Sequence, residues 1–434
     1  MSSLIIFLIA CVGFAQAGWA EVSEQQVAQL HQSVQRLGQL VEELQGTVHA
    51  QQQRIAQLEQ TGPQPEPATV QPPTSAAQAG APSVGALASQ ISGGNLSAFN
   101  PEIGVVADVV GQLSESSADG EGNDKLSARE VELVFAHPVD PYSRLDVTAT
   151  FSDFEAAALE EAYLTRYDLP GELRARLGRM RPTIGKATTT HGERLDTVDY
   201  PLVVQRYLGN EGLFRTGLEL NGFLPVPWTA VTHELAVGTM EGGVGEGGAL
   251  FGETLRRPSF YAHLKNFWDI SDTTNAELGA TYLVGSRDDD ARFEVNALGL
   301  DATFVHYATP TNKVKWQNEL YLQDRDEAFS IAEDGTRTNF HDNPWGFYSL
   351  LDYRLSPRLG VGGRLDYVEP VDIDPLHLVR HADTAWSGYV TLYQSEFARW
   401  RLQYRHTNFA LGGDDNTVFA QGTFIIGVDR HPLQ

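Results

Sequence analysis

Charged side chains crowd one stretch of this chain. Arg181, Lys186, Arg194, Arg206 and Arg215 stand against Glu193, Asp196, Asp199 and Glu211, with His191 among them. Mixed charge of this kind sorts ions. A ring of Arg and Lys favours anions, and a ring of Asp and Glu favours cations. Arg181 and Lys186 flank the tight Pro182–Gly185 turn, the Arg as a fork for oxyanions and the Lys as a point charge. The plainer reading is that these nearly balanced charges pair with one another and hold the segment in place. Arg174 and Arg176 share one strand face, and Arg399, Arg401 and Arg405 share another, with Gln403 interrupting the row. Either row is a ladder that draws anions into a narrow channel, or part of a polar lining whose charges pair across strands.

Other clusters are weaker. Asp288-Asp289-Asp290, Asp324 to Glu327, Asp414-Asp415 and Glu115 to Asp124 read as solvated acidic loop tips without EF-hand spacing. His377 and His381 would share a helical face, but they fall in an expected loop with no carboxylate partner in view. No Ser-His-Asp order, phosphate-cradling glycine loop or paired-carboxylate signature stands out. The expectation is no enzyme activity, no cofactor and no metal.

Elements of a particular kind must position these charges. From Pro101 onward, about sixteen segments alternate apolar and polar residues, the period of a strand with two different surroundings. Leu145, Val147, Ala149 and Phe151 oppose Arg144, Asp146, Thr148 and Thr150, while Trp400, Leu402 and Tyr404 oppose Arg399, Arg401, Gln403 and Arg405. Connections alternate too. Short, mostly Pro-marked ones (around 137–142, 169–171, 224–228, 308–310 and 355–357) interleave with long ones around 112–128, 181–214, 241–257, 324–344 and 369–385. Soluble sandwiches have no reason to sort loops by strand parity, whereas outer-membrane barrels do. The expected fold is all-β, an antiparallel transmembrane barrel of about 16 strands over residues 100–434.

Composition agrees. With 31 Lys and Arg against 56 Asp and Glu in 434 residues, the formal charge of −25 excludes a nucleic-acid partner. The longest apolar run, Leu4 to Ala15, is too short for a membrane helix. Residues 1–20 read as a signal peptide. Leu8-Ile9-Ala10-Cys11 also fits a lipidation box, so Cys11, the one cysteine, is either discarded with the signal or heads the mature chain. Over 22–60, Val27, Val34, Val41, Val48 and Ile55 repeat every seven residues, followed three residues on by Leu30, Leu37, Leu44, Gln51 and Leu58. Such a seam predicts an α-helical coiled coil with partner helices. Pro-rich 61–99 reads as a semi-rigid linker.

Seven segments carry a resemblance: Asn100-Pro101-Glu102-Ile103, Val139-Asp140-Pro141-Tyr142, Glu160-Glu161-Ala162-Tyr163-Leu164, Gly178 to Lys186 with His191 beyond, Asp199 to Val203, Leu208 to Leu213, and Leu224 to Trp228. Together they resemble a Gram-negative outer-membrane barrel family related to the phosphate-selective porins. The likeness is specific around 160–228 and loose elsewhere. It implies a trimeric water-filled barrel in outer-membrane lipid and lipopolysaccharide, with the loop after the fifth strand folded inward to narrow the channel. Arg181, Lys186, His191, Glu193, Arg194, Asp196 and Arg206 then become constriction residues. Some relatives carry the label TonB-dependent receptor. This chain departs from that label, since it has no room for a plug and such barrels use about 22 strands. Two function classes follow. One is a channel for small hydrophilic solutes, with a lean towards anions. The other is an outer-membrane anchor whose periplasmic coil tethers peptidoglycan or other envelope components.

Overall fold

The computed structural model describes residues 101–115, 125–153, 157–226, 231–253, 257–288, 292–331, 337–371 and 381–427. The expected signal peptide, coiled coil and linker lie outside the described residues, as do His377, Asp289 and Asp290.

The alternating segments form one antiparallel sheet of 17 strands. These are β1 (Glu102–Ser114), β2 (Lys125–Asp140), β3 (Ser143–Phe151), β4 (Ala158–Leu169), β5 (Leu173–Met180), β6 (Arg215–Phe223), β7 (Val231–Met240), β8 (Ser259–Ser271) and β9 (Thr274–Ser286). They continue with β10 (Glu294–Tyr307), β11 (Lys313–Ile331), β12 (Arg337–Asp342), β13 (Trp345–Ser356), β14 (Leu359–Val368), β15 (Asp383–Ser395), β16 (Ala398–Asn408) and β17 (Asp414–Gly427). β1 pairs with β17 from Gly104 opposite Gly427 to Ser114 opposite Thr417, and with β2 on its other side. The sheet therefore closes and has no free edge.

β11 pairs with β13 along its first half and with β12 along its second. β12 and β13 are one stave broken at Asn343-Pro344, because proline has no N–H for the ladder. Counted so, the 17 strands make a barrel of sixteen staves. The sequence pattern placed a loop at 324–344. Instead β11 runs on to Ile331 and pairs with β12 from Arg337 onward.

Burial runs opposite to that of a soluble protein. Along β3, Asp146 and Thr148 are buried while Leu145 and Phe151 are each 43% exposed. On β16, Arg399, Arg401 and Gln403 are buried between the exposed Trp400 and Leu402. Apolar residues outside and polar residues inside are what a barrel in lipid requires. Short turns (Pro141-Tyr142, Pro170–Glu172, Asp272-Thr273, Pro357-Arg358, Glu396-Phe397) alternate along the chain with long connections (181–214, 241–258, 369–382), as the sequence indicated.

The apolar core lies inside the barrel. Ile184, Leu195, Tyr200, Val203, Val204, Tyr207 and Leu208 from the 181–214 connection pack against inward residues of eight staves, among them Tyr261, Leu283, Val295, Tyr321, Tyr348 and Val368. This connection holds a 3₁₀ turn (Gly192–Arg194) and one short helix, α1 (Leu202–Tyr207), that touches β13 and β14.

Candidate functional site

The 181–214 connection follows the fifth strand and enters the lumen. Inside, its irregular backbone must satisfy its N–H and C=O groups without a ladder. The barrel wall does this in two ways.

Along the first half, wall carboxylates accept from the loop. Glu161 accepts the Arg181 N–H at 3.1 Å, and Glu219 accepts the Thr183 N–H and hydroxyl at 2.9 and 3.0 Å. Glu319 accepts the N–H groups of Lys186 and Ala187 at 2.8 and 2.6 Å, plus the hydroxyls of Tyr348 and Tyr321 at 2.7 and 3.1 Å. Gly185, at φ +57°, makes this approach possible. A Cβ there would stand 2.3 Å from the Glu319 carboxylate.

Along the second half, wall cations donate to the loop. Arg401 donates to the carbonyls of Leu195 and Thr197 at 2.8 and 2.9 Å, and Arg399 donates to the Glu193 carbonyl. Asp199 is held by Arg364 and Arg405, each at 2.8 Å, and by Gln403. Burial opposes its charge, but the two guanidiniums outweigh burial and hold its carboxyl below the usual range. On this side the Leu202 N–H reaches Asp366 at 3.0 Å, starting α1.

The charges singled out in the sequence are mostly paired with the wall rather than with one another. Arg181 is 4% exposed, in an ion pair with Glu160 and over the Phe214 ring. Lys186 meets Glu277 and, at 3.2 Å, Asp301. Asp196 pairs with Lys315, and Arg206 pairs with Asp383 at 2.6 Å. Within this set of loop residues, Arg194 and Glu193 stand 2.9 Å apart. His191 lies 2.8 Å from Glu132 and 3.4 Å from Glu161. Burial disfavours its imidazolium, yet Glu132 and Glu160 prevail and raise its pKa well above the ordinary value. Burial, then Glu132, pushes Glu193 up to about 7.

The two arginine rows differ. Arg176 pairs with Glu219 at 2.7 Å and Arg174 with Glu234 at 2.9 Å, whereas Arg399 and Arg401 grip loop carbonyls. Of the wall acids, Glu160 and Glu161 entered the sequence reading only within a segment of the resemblance, and Glu132, Glu219 and Glu319 were not singled out as site residues. Those three are unremarkable polar positions in alternating strands, whereas Glu160 sits where the β3–β4 register shifts. Val295 and Ala297, inward yet apolar, were the available hint that something packs inside. Of the acidic tips, Asp288 caps its own loop by accepting the Arg292 and Phe293 N–H groups at 2.8 and 2.9 Å.

Beside the loop a cavity of about 740 Å³ remains. Glu132, Asp146 and Glu161 line one side, and Lys186, Lys265 and Glu277 line another. Acids and bases nearly balance around it.

No family model matches the chain. An uncharacterized protein of Aquifex aeolicus (strain VF5) is 26% identical over 341 residues, 72% of each chain. Among solved structures, the chain is similar to OprB of Pseudomonas putida at a TM-score of 0.52 and 10% identity, covering 78% of this chain and 97% of that one. It is also similar to the outer membrane channel DcaP of Acinetobacter baumannii, at a TM-score of 0.51 and 13% identity, covering 75% and 96%. The fold is that of the outer-membrane porins.

Proposed function

We propose that the protein is an outer-membrane channel through which small hydrophilic solutes diffuse. One observation carries the reading. A closed barrel, apolar outside and polar inside, holds the connection after its fifth strand within the lumen and keeps a charged cavity beside it. The fold neighbour described as an outer membrane channel supports it. With the long connections external and the short turns periplasmic, the N-terminal segment lies in the periplasm. The porin-like barrel points to a homotrimer, whereas the seam of the expected coil, with β-branched residues at a and mostly Leu at d, by itself favours two strands. The tether reading rests on residues outside those described.

Ion preference follows from which charges still face the cavity. Arg181 is committed to Glu160. Lys186 and Arg194 keep about 15% of their side chains open, and both line the cavity. A modest lean towards anions therefore rests on Lys186 and Arg194, with Arg181 as anchor. Liposome swelling with neutral sugars of rising size, beside planar-bilayer conductance, tests the channel. Size-dependent swelling and discrete conductance steps are expected; a silent, correctly folded protein would refute the reading.

A further inference from the structure

Two triplets of ligand-type side chains converge where the loop's 3₁₀ turn meets β2 and β4. They are Glu132, His191 and Glu193, and Glu130, Glu132 and Glu160. In each triplet the donor atoms lie within 4.8 Å of one another. That span is about what a metal with bonds of roughly 2.0–2.4 Å bridges across its own diameter.

Acidic clusters are common without a ligand, and a second observation separates this one. Glu193 is fully buried at 0% exposure, and neither carboxylate oxygen accepts a hydrogen bond. Arg194 Nε stands 2.9 Å from one of them, but outside hydrogen-bonding geometry. Glu160, 3% exposed, likewise leaves Oε2 unbonded. Other buried carboxylates on the loop's path are well supplied, as the four donors to Glu319 show. Unbonded carboxylate oxygens in a buried site are costly unless a cation or proton meets them.

We propose that Glu132, His191 and Glu193, with Glu160 beside them, bind a divalent transition-metal ion of the Mn²⁺ or Zn²⁺ class. Carboxylates together with one imidazole suit these ions better than Ca²⁺ or Mg²⁺, which prefer oxygen alone. Glu132 and His191 line the cavity, so the ion reaches the site from the lumen. A cation there replaces the proton that joins His191 Nδ1 to Glu132 across 2.8 Å. It fastens the 3₁₀ turn to the wall and offsets the surplus of carboxylates.

The test is Mn²⁺ titration of the chelator-treated, detergent-folded full chain, followed by loss of the free Mn²⁺ paramagnetic resonance signal. Saturable binding that Zn²⁺ displaces is expected. Glu193→Gln and His191→Gln should each weaken it at least ~10-fold, the scale seen when metal-site groups are altered. His341→Gln, beside the exposed Asp324 and Asp326, should leave it unchanged. Two variants guard against one failing to fold, and heat-modifiable gel mobility reports folding. Wild-type protein without saturable binding, or either folded variant binding as wild type does, would overturn the site. The same holds if only His341→Gln loses the ion.

Discussion

The two halves of the lumenal loop are fastened by opposite chemistry. From Arg181 to Ala187 the wall offers carboxylates, which accept the loop's amide hydrogens. From Glu193 to Asp199 it offers mainly guanidiniums, which donate to the loop's carbonyls and to Asp199. A backbone without secondary structure in a barrel has unpaired donors and acceptors, and each charged wall takes mainly one kind, although Arg176 on the acidic side also donates to the Arg181 carbonyl at 3.0 Å. Much of the lumenal charge is therefore scaffold. A count of inward Arg and Glu overstates the field a passing ion meets, because buried paired charges act mainly on their partners.

The contrast is broken most severely at the acidic side. Arg181→Gln leaves Glu160 buried beside His191 without its guanidinium, and breaking such a pair costs about 3–5 kcal/mol. Heat-modifiable mobility should show a much lower melting point, with ion preference secondary to that loss. An Arg181→Gln barrel that melts as wild type does would mean the loop does not depend on this anchor.

The basic side should yield less. Arg401→Gln removes charge-assisted bonds to two loop carbonyls, but both acceptors are neutral, so no buried charge loses its ion-pair partner, and Arg399 and Arg364 stay in place. The loop should loosen at 195–199, seen as raised single-channel conductance with more noise and a small drop in melting point. Unchanged conductance would show that this half is held by its apolar contacts alone.

The smallest effect is in acid. The Asp199 carboxyl is lowered below its ordinary value of 3.8, so it stabilises the fold fully above that value. That contribution is lost as pH falls through the depressed folded value. Asp199→Asn should thus be less stable than wild type at neutral pH, and the gap should narrow below about pH 4. A gap that widens in acid would reverse the assigned sign.

Much of the barrel was legible in the sequence, because a strand between lipid and water writes its two surroundings into alternate residues. Leu145, Phe151, Trp400 and Leu402 were legible for that reason, and loop parity follows from antiparallel connectivity. The position of 181–214 after the fifth strand could be counted directly. Its partners could not. Lys186 and Glu319 are 133 positions apart, and Leu195 and Arg401 are 206 apart. Pairing across a lumen leaves no mark in local spacing. The 324–344 stretch, expected as a long connection, is strand on both sides instead, and Asn343-Pro344 interrupts a stave that resumes beyond it.

We propose that the loop's cavity-facing bases, and not its anchors, set the passage of ions. Reversal potential across a planar bilayer under a salt gradient, measured for wild type and Lys186→Gln side by side, tests this most directly. Losing Lys186 removes one positive charge and uncovers Glu277 and Asp301, so both changes act in one direction. A shift towards cations at nearly unchanged conductance is expected. A reversal potential that does not move, in a folded and conducting variant, would contradict it.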